Sequence, residues 1–298
     1  MHHVRTRRFA AAGLAAALLF GAAACGSSDS SDGKTSTDTS SAKDAALAKL
    51  VPEKLTKAGK IVVAADASYA PNEFFDTDNK TVIGMDADLA KAIGGVLGLD
   101  VEVQNAGFDT IIPALGHRFD LGMSSFTDNK DREKTVDFVD YFSAGTSFYT
   151  QAGKNADLTT LEALCGHTVG VEKGTTQETD AKAQKCTDGK ITVSSFDDQG
   201  GANTALSSDR VDVVMADSPV AAYAVKQSKG KFDLGAKEYG DAPYGIAIPK
   251  AAEYKGLDKA IQGALEKLEA DGTYDKIMKT WGVEAGEVKT FTINGATS

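Results

Sequence analysis

The chain has 298 residues, enough for two ordinary domains or one large one. Its 42% hydrophobic and 25% charged residues are those of a soluble globular body and argue against a fibrous or disordered chain. A formal net charge of −10 argues against nucleic acid as a partner, since a polyanion would be repelled.

His2, His3, Arg5, Arg7 and Arg8 make a basic start, and residues 9–24 are an unbroken run of Ala, Gly, Leu and Phe. That run is short for a bilayer span and fits the apolar centre of a secretory signal. It closes on "AAAC", which resembles the bacterial lipobox, with Ala22 where leucine is commoner. The resemblance implies cleavage after residue 24 and diacylation of Cys25, which would tie the mature chain to the membrane on the extracytoplasmic side. The plainer alternative is an ordinary cleaved signal followed by an unrelated cysteine. Residues 26–41 hold no hydrophobic side chain, so 25–46 reads as a disordered tether and the folded body is expected to start near Leu47. Cleavage would remove three arginines and no acid, taking the net charge from −10 to −13.

Strand and helix patterns alternate from Ile61 onward. "KIVVAA" (60–65) predicts a buried strand, and "DADLAKAIGGVLG" carries Leu89, Ile93, Val96 and Leu97 at helical spacing before stopping at Gly98. "DVEVQ" predicts a strand and "FDTIIPALGHR" a short helix with Ile111, Ile112 and Leu115 inward; "FDLGMSS" is a strand again and "DREKTVDF" a helix start. A second series follows, with strands at "HTVGVE", "KITVSSF" and "VDVVMA" and helices at "TTQETDAKAQKC", "GGANTALSSDR" and "SPVAAYAVKQS". "DAPYGIAIPK" returns as a strand, and "LDKAIQGALEKLEADG" with "TYDKIMKTWG" closes the chain as two helices. Two such series predict two α/β domains over a single doubly wound one. "DQGGAN" lacks the Gly-Lys-Ser/Thr ending of a phosphate loop and reads as a turn.

With Cys25 lipidated, Cys165 and Cys186 form an even pair outside the cytoplasm, where disulfides persist; a metal site using His167 is the competitor but lacks a recognisable ligand pattern. Ligands of open α/β sheets settle beyond the carboxyl ends of strands. Asp66, residues 124–127, residues 172–176 and Asp217 occupy such ends in both series, which places a site between the domains.

The segments "DASYAPNEF", "VIGMDADLAKAI", "FDTIIPALGHRFDLGMSSFTDNKDREKTVDF", "VGVEKGTTQE", "RVDVVMADSP" and "LEADGTYDKIMKTWG" occur in this order. Together they resemble the polar-amino-acid-binding proteins of ABC importers, extracellular solute-binding family three, over roughly residues 50–282. The resemblance implies a type II periplasmic-binding-protein fold, with two α/β lobes and two hinge crossovers closing over one free amino acid. Lobe 1 would run over 47–143 and 244–298, and lobe 2 over 146–240.

Carried over by position, Arg132 would grip the ligand carboxylate, and a guanidinium fork suits that geometry. Ser125 and Thr127 would complete the head-group contacts, Thr176 would donate from a helix start, and Asp217 would take the ammonium. Tyr69 and Phe108 would sandwich the side chain, with Ser124, Gln177 and Asp66 lining the same pocket. Asn72 stands where phenylalanine is common, and Glu172 where relatives carry leucine or lysine. Glu172 with Asp66 would favour a cationic side chain, unless Glu172 faces solvent or pairs with Lys173. The family implies a permease as partner. Only His117 and His167 survive processing, and neither stands near a serine or cysteine motif with a base and an orienter. No catalytic group is therefore expected, nor a metal or cofactor, and the body is expected to be a monomer. Two alternatives share the fold, a cyclohexadienyl-dehydratase-like enzyme and a lipoprotein that presents its ligand to a sensor.

Overall fold

The computed structural model describes residues 42–154, 157–158, 160–235 and 238–296. The signal segment, Cys25 and most of the expected tether lie outside these residues. Where the tether was expected to persist to residue 46, Asp44 already belongs to the body. Its N–H donates to the Val96 carbonyl, and its carboxylate accepts from the N–H groups of Ala46 and Leu47.

The first half runs α1 (Glu53–Ala58), β1 (Lys60–Ala65), β2 (Ser68–Tyr69), β3 (Glu73–Phe75), β4 (Val82–Ile83), α2 (Met85–Leu97), β5 (Asp100–Asn105), α3 (Phe108–Ala114) and β6 (Leu121–Gly122). Strand β7 (Val136–Gln151) then leads into β8 (Thr168–Glu172), α4 (Thr176–Ala183), β9 (Thr192–Phe196), α5 (Gln199–Ser207), β10 (Val213–Asp217), α6 (Ser218–Gln227) and β11 (Phe232–Leu234). The return is β12 (Tyr239–Pro249), followed by α7 (Leu257–Ala270) and α8 (Thr273–Trp281).

The main sheet has the order β5-β1-β6-β12-β7-β10-β8-β9, with β11 on β7. Strand β1 is parallel to β5 and β6, and β8 is parallel to β9 and β10. Between these parallel halves stand the antiparallel strands β7 and β12, which pair from Tyr239 and Thr146 at one end to Pro249 and Val136 at the other. Each long strand therefore belongs to both halves, and together they form the two crossovers of the type II periplasmic-binding-protein fold. Their register slips between Tyr239 and Ala242 and again between Tyr244 and Gly245, where the sheet turns from one half to the other.

Leu89, Ile93, Val96 and Leu97 of α2 are buried as their spacing predicts, against Leu257, Ile261, Leu265 and Leu268 of α7 and Ile277 of α8. The second half has its own core of Phe148, Leu164, Val169, Val171, Val213 and Met215. A third cluster joins Tyr69, Phe108 and Phe126 to Tyr149, Ala202 and Val214, so apolar packing also runs between the halves.

Several sequence expectations need correction. "DREKTVDF" is one 3-10 turn (Arg132–Lys134), after which the β-branched and aromatic residues from Val136 onward extend into the sixteen-residue β7. The strand expected over "FDLGMSS" shrinks to Leu121–Gly122, because the chain turns at Ser125, whose φ is 52°. "DQGGAN" is the start of α5, capped by the Asp198 carboxylate accepting from the Gly201 N–H at 2.7 Å. Ile112 is only half-buried. Cys165 and Cys186 are joined in a disulfide, with Cα atoms 5.7 Å apart. His167 faces Asp212 at 3.7 Å, not a metal pair with Cys165.

Candidate functional site

Asp66 follows the last residue of strand β1, and its carboxylate is structural. One oxygen accepts from Ser68 N–H at 3.1 Å and the other from Phe108 N–H at 2.9 Å, which caps the first turn of α3. The Asp66 N–H donates in turn to the Ser124 hydroxyl at 2.8 Å. These bonds fix Phe108 and the 124–127 turn relative to β1. Thr127 bridges to Tyr244 of β12, and Arg132 follows, its N–H donating to the Asn129 side chain at 2.9 Å.

The Arg132 guanidinium reaches into the space between the halves. Nη1 donates to the Thr127 carbonyl at 2.8 Å and Nη2 to the Gly174 carbonyl of the opposite half at 3.1 Å. Its Cζ lies over Phe108 and Phe126, 5.3 and 5.5 Å from their ring centroids.

On the other side β8 ends at Glu172 and α4 begins after a glycine turn. Thr175, not Thr176, is the capping residue: its hydroxyl accepts from Glu178 N–H at 3.1 Å and donates to the Glu172 carbonyl at 2.7 Å. Glu178 reaches back to the Gly174 N–H at 2.8 Å, a capping box displaced by one residue. Asp217 opens α6 without a side-chain cap bond, so the ordinary capping role does not account for it. Its carboxylate instead accepts from Gln177 Nε2 at 2.6 Å, and the same amide nitrogen donates to Thr146 at 2.8 Å.

Tyr69, Phe108, Ser125, Thr127, Arg132, Thr176, Gln177 and Asp217 line one cavity with about 310 Å³ of empty space, counting its open mouth. Thr175, Gln199 and Met215 complete the lining and were not among the expected residues. Gln199 is held by its N–H to Ser68 at 3.1 Å and its amide to the Tyr149 hydroxyl at 2.8 Å. The start of a helix after a strand was the available signal for it; Met215, inside an apolar strand, gave none.

Asp66, Ser124 and Glu172 are buried behind the cavity wall. Tyr69 and Phe108 meet edge to face with centroids 5.7 Å apart, so they do not form the two parallel walls expected of a sandwich.

Burial drives the electrostatics. It lowers Arg132 to about 10, against the pull of Asp217, and raises Asp217 to about 6, tempered by Tyr244, Gln177 and Arg132. Glu172, 1% exposed, is pushed up to about 9 by burial and then by the charge of Asp66. Neither of its carboxylate oxygens makes a hydrogen bond of good geometry, although the Tyr69 hydroxyl and the Asp66 carboxyl stand close beside it. Lys173 is not that partner, since it pairs with Asp109 at 2.6 Å. The cavity thus offers a cation at Arg132 and an acid at Asp217, while Glu172 and Asp66 lie behind its wall near Tyr69. His117 and His167 do not line it.

The sequence model of the bacterial extracellular solute-binding proteins, family 3, matches residues 61–284. The arginine-binding protein ArgT of Corynebacterium glutamicum is 36% identical over 252 residues, covering 82% of this chain and 81% of its own. An ancestral arginine-binding protein solved with arginine superposes with a TM-score of 0.70 at 38% identity, over 75% of this chain and 98% of that one. An ancestral amino acid-binding protein described as a precursor of cyclohexadienyl dehydratase gives 0.70 at 33% identity, over 78% and 99%.

Proposed function

The chain belongs to family 3 of the bacterial extracellular solute-binding proteins, and on that footing we propose that it is a receptor for a basic amino acid, arginine foremost, which it passes to an ABC importer. The observation that carries the choice of ligand is Glu172, a buried carboxyl that makes no hydrogen bond of good geometry, beside the Asp66 carboxylate. An unpaired buried acid is costly, and a guanidinium would supply both charge and two donors. The arginine-binding relatives point the same way.

The ligand carboxylate lies on Arg132 and the N–H groups at the start of α4, with Thr127 and Thr176 beside it. Its ammonium lies on Asp217 and the Ser125 carbonyl. The side chain passes Tyr69 and Phe108 toward Glu172. Residues 47–143 with 244–298 move as one lobe against 146–240, and contacts made only in the closed form shift the equilibrium that the permease reads. Cys25 carries the lipid that keeps this monomer at the extracytoplasmic face of the membrane, with 26–41 as its spacer.

A calorimetric panel of arginine, lysine, ornithine, histidine and glutamine tests the reading, with prephenate included and its product sought. Arginine is expected to bind tightest, and Arg132→Ala to weaken every ligand about ten- to a hundredfold, as loss of a charge-assisted bond requires. Tighter binding of a neutral amino acid, turnover of prephenate, or unchanged affinity in Arg132→Ala would overturn it.

A further inference from the structure

Beneath the 124–125 turn lies a second acidic pair that the binding scheme does not use. Glu73 is 0% and Asp86 1% exposed, and their carboxyl groups face each other within bonding reach. Among the described residues neither forms an ion pair. The charged and titratable groups around them are Asp66, Tyr141 and Tyr244, none of which is a cation.

The donors can be counted. Asp86 accepts from the Ser125 N–H at 3.0 Å and from the Tyr141 hydroxyl at 2.7 Å, two bonds that favour its ionised form. The Ser124 hydroxyl accepts from Asp66 N–H, so its own proton goes to Glu73 Oε1 at 3.0 Å. The Ser125 hydroxyl accepts from the Asn72 amide at 2.9 Å and turns its proton toward Glu73 at 3.3 Å. One proton between the two carboxyls then closes the network, borne by Glu73 and donated to Asp86. Without it, two buried like charges would stand in contact.

We infer that Glu73 is a positioning residue: as a neutral acid bonded to Asp86, it holds the Ser124–Ser125 turn in the shape that receives the ligand head group. The turn needs such support, because Ser125 has a φ of 52°, a left-handed conformation costly for a side-chain-bearing residue. With its N–H and hydroxyl both bonded downward, what Ser125 can offer the cavity is its carbonyl, an acceptor suited to an ammonium. Asn72, which stands where phenylalanine is common in the family, serves this same turn.

The inference rests on the cleft being the head-group site, so its test separates the two. Glu73→Gln copies the neutral acid in size and donors; Glu73→Ala removes it. In the full chain, arginine affinity is expected to stay within about threefold for Glu73→Gln and to fall roughly tenfold or more for Glu73→Ala. The second readout needs no ligand. A carboxyl whose folded pKa is raised makes stability fall with rising pH from the ordinary carboxylate range upward, so the unfolding free energy of the wild type should drop more steeply than that of Glu73→Gln, by up to about one proton. The carbon-13 shift of the Glu73 carboxyl reports the proton directly, whether or not the alanine variant folds.

An ionised shift at neutral pH, matching pH slopes, or an affinity loss in Glu73→Gln as large as in Glu73→Ala would overturn the assignment. If no amino acid binds the wild type, the reading of the cleft falls, while the shift and the slope still decide the proton.

Discussion

Arg132, which lines the cavity, and Glu172, buried behind its wall, show how two side chains acquire different tasks from burial alone. Arg132 keeps its charge because even a depressed guanidinium stays protonated at neutral pH, whereas Glu172, pushed up to about 9, holds a proton. A guanidinium placed on Glu172 would draw out the ionised form, so arginine binding should release that proton. The sign follows from linkage: affinity for arginine rises with pH between about 7 and 8.5, by up to tenfold per unit, while affinity for glutamine stays flat. Asp217, raised to about 6, titrates below that window and acts on every ligand alike. Calorimetry in buffers of different ionisation enthalpy measures the release. Glu172→Gln should flatten the arginine slope and weaken arginine more than glutamine; equal losses, or proton uptake, would remove Glu172 from selectivity.

The β8–α4 connection carries the second half's share of the head-group site, and its geometry leaves little tolerance. Gly174 has a φ of 82°, and a Cβ there would lie 2.9 Å from the Asp109 Cβ of α3 on the opposite half. Gly153, with a φ of 73°, has nothing within 4 Å and serves as its control. Alanine at either position should cost stability by about 1–2 kcal/mol, the usual penalty of a left-handed residue, as read by chemical denaturation. Only Gly174→Ala should also weaken arginine and glutamine together, because its clash arises where the two halves meet. Equal affinities in the two variants would mean that α3 and α4 separate enough to absorb the methyl group.

Direct contacts between the halves, independent of any ligand, bear on how the whole molecule closes. Lys173 meets Asp109 at 2.6 Å, Arg132 reaches the Gly174 carbonyl at 3.1 Å, and Gln199 N–H reaches Ser68 at 3.1 Å. Phe74 lies 6.2 Å from Tyr223 of the other half; within its own half it meets Trp281, the single tryptophan of the chain, edge on at 5.7 Å. Such contacts raise the population of the closed form, and apparent affinity scales with that population. Lys173→Ala should therefore weaken all ligands by the same few-fold factor, speed their release, and lose its effect at high salt, since the pair is partly exposed. Trp281 fluorescence in stopped flow follows the release. A loss that differs between arginine and glutamine would assign Lys173 to the ligand instead.

The alternation of strands and helices and the strand ends that bear polar residues were legible in the sequence, because they depend on local periodicity and on turns a few residues long; the opposition of Arg132 and Asp217 was implied only by the family resemblance. The same holds for α2, whose four spaced hydrophobic residues are all buried. What only the folded molecule decided is which polar groups are spent inside it. Asp66 and Ser124 looked free for a ligand, yet their bonds go to Phe108 and Glu73, 42 and 51 residues away. Asp86 read as a helix start and Glu73 was not singled out at all, until β3 and α2 brought them together under Ser125. A hydrogen bond between distant residues leaves no period in the chain; it exists only once the core has fixed where each strand ends.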